Sequence, residues 1–132
     1  MATTTIHPFF LFEGNAEAAM DFYVSLFDSA QIIEMLRYGP NESGDEGSVK
    51  RGVFSIANQT VLCTDSAVKH GFTFTPSLSL FVECKSEAEI DRVFWALADR
   101  GSELMRLGNY GFSKKFAWVN DRFGVSWQLN LS

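Results

Sequence analysis

Long apolar runs are missing from this 132-residue chain. No stretch approaches about 18 such residues, so no membrane-spanning helix is expected. Basic charge is also scarce: 11 Lys and Arg stand against 16 Asp and Glu, a net charge of −5. That balance argues against a nucleic-acid-binding surface and against electrostatic docking on anionic lipid. The basic pair Lys114-Lys115 is too small to alter it. Cysteine is limited to Cys63 and Cys84. Met1 to Thr5 hold no basic stretch leading into an apolar segment, so no secretory signal is visible and a cytoplasmic location is expected. In a reducing compartment both cysteines are expected to be free, buried thiols.

Aromatic residues, by contrast, are plentiful. Thirteen are Phe, enough to line a surface as well as to fill a core. The length suits one domain, or two small modules sharing one core. Ile6–Phe12 reads as a strand with Pro8 near its start. Asn15 is a candidate N-cap for a helix over Ala16–Phe27, in which Ala19, Met20, Tyr23 and Phe27 recur at helical spacing. Gln31–Tyr38 reads as a strand, and the Gly-rich 39–47 segment as a loop. Val49–Ala57 and Thr60–Thr64 read as strands joined by a hairpin at Asn58-Gln59. A loop over 65–75 leads to a strand at Pro76–Cys84. Ser86 caps a second helix, Glu87–Ala98, with Glu89 completing a capping box. Short strands follow at Glu103–Leu107, Lys115–Val119 and Val125–Leu131.

The order is strand, helix and three strands, given twice. Glu13, Glu17, Ala18, Met20 and Asp21 match Glu83, Glu87, Ala88, Ile90 and Asp91 at one constant offset. The pattern predicts an internally duplicated α+β protein of two tandem β-α-β-β-β modules, about 5–66 and about 75–132, in one domain. Their sheets are expected to form a curved, mixed but mostly antiparallel surface with a cleft. In the last strand, Val125, Trp127 and Leu129 share one face, and Ser126, Gln128 and Asn130 the other.

Three segments carry a resemblance to a known family: Pro8–Phe12 with Gly14–Tyr23, Phe72–Pro76 with Ser79–Cys84, and Asp121–Gln128. Together with the duplicated module, they resemble the vicinal-oxygen-chelate superfamily of glyoxalase I, bleomycin-resistance proteins and extradiol dioxygenases. Within it, the chain is most similar to the PhnB-like branch, which carries the name 3-demethylubiquinone-9 3-methyltransferase. An S-adenosylmethionine site of the common type asks for a parallel sheet with a Gly-rich turn after its first strand. Glu13-Gly14-Asn15 offers one glycine, in a chain whose strands read as antiparallel.

The resemblance implies a divalent-metal position built from four strands, and by strand position its candidates are His7, Thr64 or its neighbour Cys63, Ser77 and Gln128. One imidazole and three neutral oxygens suit such an ion poorly, so no metal and no other cofactor is expected. His7 is either a half-buried residue bonded to backbone or water, or a general base facing the cavity. His70 is either solvated or on the cavity rim. Alternation places Phe9, Ser77, Ser79, Phe81 and Gln128 toward the cleft, with Thr64 beside them. On the seventh strand either Phe116 and Trp118 or Lys115 and Ala117 face inward; Trp118 is taken as a cleft residue.

Such a lining suits a small aromatic or amphipathic molecule and does not suit a phosphate. The expected protein is a metal-independent small-molecule binder and a homodimer. The alternatives are a metal-dependent lyase or isomerase of the glyoxalase type with His7 as base, and a resistance protein that sequesters a drug.

Overall fold

The computed structural model describes residues 2–132. The chain divides into two compact units between Gly71 and Phe72. The first contains β1 (Phe9–Phe12), α1 (Ala16–Leu26), β2 (Ala30–Arg37), β3 (Val49–Ile56) and β4 (Gln59–Asp65). The second contains β5 (Ser79–Glu83), α2 (Glu87–Ala98), β6 (Ser102–Gly108), β7 (Lys115–Asn120) and β8 (Ser126–Leu131). Each unit has its own four-stranded mixed sheet, ordered β1-β4-β3-β2 and β5-β8-β7-β6. The first strand of each runs parallel to the last, and the other pairs are antiparallel. The duplication extends to register: Phe9 lies opposite Leu62 and Leu11 opposite Thr64, as Ser79 lies opposite Ser126 and Phe81 opposite Gln128.

One face of each sheet is covered by its helix. In the first unit Ala19, Met20, Tyr23 and Leu26 of α1 are buried, as are Phe10, Phe12, Phe54 and Cys63. The Tyr23 and Phe54 rings lie 5.8 Å apart. Gly52 leaves room here: a Cβ on it would stand 2.7 Å from both Cys63 Sγ and Met20 Sδ, so those side chains would have to shift. In the second unit Ile90, Val93, Phe94 and Leu97 of α2 are buried, together with Ala117, Val119, Trp127 and Leu129 of β7 and β8. Removing these large side chains from water contributes roughly 1.5–3 kcal/mol each.

Several boundaries differ from the sequence reading, for physical reasons. Ile6, His7 and Pro8 precede β1. Pro8 has no N–H, so it joins the sheet only as an acceptor, its carbonyl taking the Leu62 N–H at 2.9 Å. Ser77 lies before β5, in a turn where Leu78 N–H reaches the Thr75 carbonyl at 3.4 Å. The β3–β4 hairpin turns at Ala57-Asn58 rather than Asn58-Gln59, with φ of +47° and +69°. Two successive positive φ values match the twist of the flanking strands, and Ala is an unusual occupant of the first position. Ala57→Gly is expected to stabilise the protein by about 0.5–1 kcal/mol, which urea unfolding would show as a higher midpoint at unchanged slope.

The two helices are capped differently. Ser86 Oγ accepts the Glu89 N–H at 3.1 Å, as the sequence suggests. Glu89 Oε1 accepts from Lys85 N–H rather than from Ser86, so the reciprocal half of the box is displaced by one residue. Asn15 makes no side-chain cap. The carboxylate of Asp65, from the far end of β4, does that work instead. Its Oδ1 accepts Gly14 N–H at 2.8 Å and Ala16 N–H at 3.0 Å, and its Oδ2 accepts Val49 N–H at 2.9 Å.

Candidate functional site

The uncovered sheet faces of the two units share geometry but not chemistry. In the first unit that face carries Phe9 and Leu11 beside Leu62 and Thr64. It is largely apolar, and the Thr64 hydroxyl is turned back onto the Lys50 carbonyl at 2.8 Å. In the second unit the equivalent positions are Ser79, Phe81, Ser126 and Gln128. Here the hydrogen bonds run between side chains.

Lys115 settles which side of β7 faces this way. Its ammonium bridges Asp91 at 2.8 Å and Glu87 at 3.0 Å, both on α2. Lys115, Ala117 and Val119 therefore face the helix, and Phe116 and Trp118 the opposite side. Trp118 lies directly across from Gln128, which has Phe81 across from it on β5. Trp118 Nε1–H donates to Ser126 Oγ at 2.9 Å. Ser126 and Ser79 hydroxyls are 2.7 Å apart. Gln128 Nε2 reaches Ser79 Oγ at a long 3.5 Å. Phe116, itself buried, continues this side of the strand into an aromatic cluster. The Tyr110 and Phe112 rings stack at 17°, and both meet Phe116 nearly edge-on. Phe81, 54% exposed, lies 6.4 Å from Phe116 on its other flank.

The buried turn before β8 holds this face in place. Asp121 Oδ1 accepts Phe123 N–H at 2.8 Å and Val125 N–H at 3.1 Å, and Oδ2 accepts Trp127 Nε1–H at 2.9 Å. Gly124 takes φ +91° in the turn. Asp121, Tyr110 and Phe112 are not among the cleft residues read from sequence, whereas Ser126 is read there on the face of Gln128. The Asp-x-x-Gly spacing at 121–124 was a usable turn signal, and the alternation with Gln128 pointed to Ser126. Nothing local marks Tyr110 and Phe112 as neighbours of Phe116.

The sequence-derived residues thus divide. Ser79, Phe81, Trp118 and Gln128 come together on one face of the second unit. Phe9 and Thr64 lie on the corresponding face of the first. Ser77 is exposed ahead of β5 and paired with Thr75 Oγ1 at 2.7 Å. His7 is exposed ahead of β1. His70 is half-buried in the loop after β4, its Nε2 2.8 Å from Ser66 Oγ.

These donors do not fit a divalent ion. Thr64 and Ser77 spend their hydroxyls on local partners, and Gln128 supplies a neutral amide. Among the described residues no three His, Cys, Asp or Glu side chains cluster. An S-adenosylmethionine site of the common type fits no better. The start of α1, where an anion or a cofactor carboxylate would bind, is already taken by Asp65.

The cysteines are free and buried. Burial pushes the Cys63 thiol up to about 12, with the Asp65 charge adding to it. Burial likewise raises Cys84 to about 11. The unfolded thiols ionise near 8.5. Their contribution to stability is therefore complete below that pH and declines as pH rises toward 11–12. Native protein at pH 8 is expected to resist iodoacetamide while urea-unfolded protein is alkylated at both sites. Mass spectrometry reads the difference directly.

The tandem modules, each with its own four-stranded mixed sheet, have the fold of the vicinal-oxygen-chelate class. The family model described as 3-demethylubiquinone-9 3-methyltransferase matches residues 4–130, and the chain belongs to this PhnB-like family. Among solved structures it is similar to the PhnB protein of Bacillus cereus, which carries the same methyltransferase name. The two are 53% identical, the match covers 98% of this chain and all of that one, and the TM-score is 0.95. Protein PA1353 of Pseudomonas aeruginosa is 27% identical over 98% of both chains, with a TM-score of 0.84. The fosfomycin resistance protein FosX of Listeria monocytogenes shares the fold at 13% identity, with a TM-score of 0.62 over 100% of this chain and 95% of that one. Among curated proteins there is no significant match.

Proposed function

We propose that this protein binds a small, uncharged aromatic molecule on the open face of its second sheet and does so without a metal ion. The observation that carries this reading is the Trp118–Ser126–Ser79–Gln128 chain with the exposed Phe81 ring across from Gln128. Aromatic walls supply most of the affinity in such sites, and a few placed polar groups supply orientation. No Lys or Arg belongs to this set, so an anionic ligand has no charge partner there. The quinone in the family's name is a flat, uncharged conjugated ring bearing oxygens, which agrees with this chemistry. A homodimer in the cytoplasm belongs to the same reading; exposed Phe9, on the first sheet, supports the pairing of subunits.

The test uses 2-naphthol as the probe, titrated into the protein by calorimetry. Saturable binding is expected, weakened about tenfold in Trp118→Ala, with circular dichroism confirming an intact fold. Absence of saturable binding, or equal affinity in the variant, would overturn the proposal.

A further inference from the structure

We infer that Ser79 directs its hydroxyl proton outward, so that the ligand of this face presents an uncharged carbonyl-type oxygen to it. The inference rests on the reading of this face as a binding site and adds the substrate class. It follows from counting donors. Tryptophan can only donate, so Trp118 Nε1–H uses one lone pair of Ser126 Oγ. Ser126 is 1% exposed, and its own hydrogen needs an acceptor inside the protein. Ser79 Oγ, 2.7 Å away, is the acceptor within reach. The reverse orientation would leave the Ser126 hydrogen buried without a partner, a cost of about 1–3 kcal/mol. Polarity therefore runs from Trp118 through Ser126 to Ser79, each bond strengthening the next.

Ser79 then accepts from Ser126 and, weakly, from Gln128 Nε2 at 3.5 Å. Its own O–H remains to donate, and the second hydrogen of Gln128 Nε2 lies beside it. Two donors 3.5 Å apart suit one carbonyl oxygen, with the attached ring against Phe81 and Trp118. A carboxylate is disfavoured: no cation belongs to this constellation, and Glu83 follows on the same face, its carboxylate 3.4 Å from Asn130 Nδ2. A hydrocarbon would cover two polar groups and satisfy neither.

Three probes of one shape test this: 1-acetonaphthone, 1-isopropenylnaphthalene and 1-naphthoate, with dissociation constants from ligand-observed NMR. The ketone is expected to bind about tenfold tighter than the hydrocarbon and tighter than the carboxylate. Ser79→Ala is expected to bring the ketone-to-hydrocarbon ratio close to one. Equal binding of ketone and hydrocarbon to the unaltered protein overturns the carbonyl assignment while leaving the face as a binding site. Tighter binding of naphthoate overturns the neutrality of the ligand. A ketone preference that survives Ser79→Ala overturns the role of Ser79. If none of the three binds, the binding reading itself fails.

Discussion

Asp65→Ala is expected to lower the unfolding free energy by about 4 kcal/mol, the largest effect of any substitution considered. Asp65 is 3% exposed, and its carboxylate holds three backbone N–H groups, those of Gly14, Ala16 and Val49. Alanine removes three charge-assisted bonds at once, and where the site stays closed to water those donors lose their partners. Two of them open α1, so the helix also loses its cap and the negative charge that favours its N-terminus. The third begins β3. One side chain thus joins the end of β4, the start of α1 and the start of β3. For a chain of this size the loss corresponds to a fall in melting temperature of roughly 10–20 °C. Asp65→Asn is expected to fall between, because its amide nitrogen would face the N–H of Gly14 and Ala16 or that of Val49, donor against donor. Thermal unfolding of the three proteins gives the order Asp, then Asn, then Ala; equal stability of Asp and Ala would remove the capping account.

The second large effect is expected at Asp121. It too is 3% exposed, and it ties the turn at Phe123 and Val125 to the indole of Trp127 in the core of the second unit. Asp121→Ala leaves the buried Trp127 Nε1–H and Val125 N–H without this acceptor, at an expected cost of about 3 kcal/mol. Trp127 sits next to Ser126 and Gln128 on β8, so loosening this turn also disturbs the open face. Stability and 2-naphthol affinity are expected to fall together in Asp121→Ala. In Trp118→Ala the expected loss falls mainly on affinity, with a smaller fall in stability from the lost bond to Ser126. Measuring both quantities on both variants separates support of the site from contact with ligand.

The fate of individual residues shows where sequence reading succeeds. The face pattern of β8 was legible, because side-chain alternation is a local property with a period of two residues. The same holds for α2, whose apolar stripe and Ser86 cap lie within a few residues of each other. The duplicated module was legible because one offset aligned helix, strand end and helix face. Asn15 does stand at the N-cap position, but the side-chain acceptor that its residue type suggests arrives from Asp65 instead. His7 and Ser77 read as strand residues because apolar neighbours continue past them. Pro8 and the turn at Thr75–Leu78 end the pairing before either is reached.

The sequence by itself determined the two modules, their helices and strands, and the polar-against-apolar faces of the last strand. Each of these depends on composition and spacing within a short window, and on steric rules common to all chains. Tertiary structure alone decided the rest. It placed Asp65 at a helix start 49 residues away, turned Lys115 to α2 and so Trp118 to the open face, and spent the Thr64 hydroxyl on Lys50. It also brought the buried Ser126 hydroxyl to 2.7 Å from that of Ser79. These outcomes depend on which groups meet across the fold and on the cost of leaving a buried donor unpaired. Neither quantity is written in any local stretch of the chain.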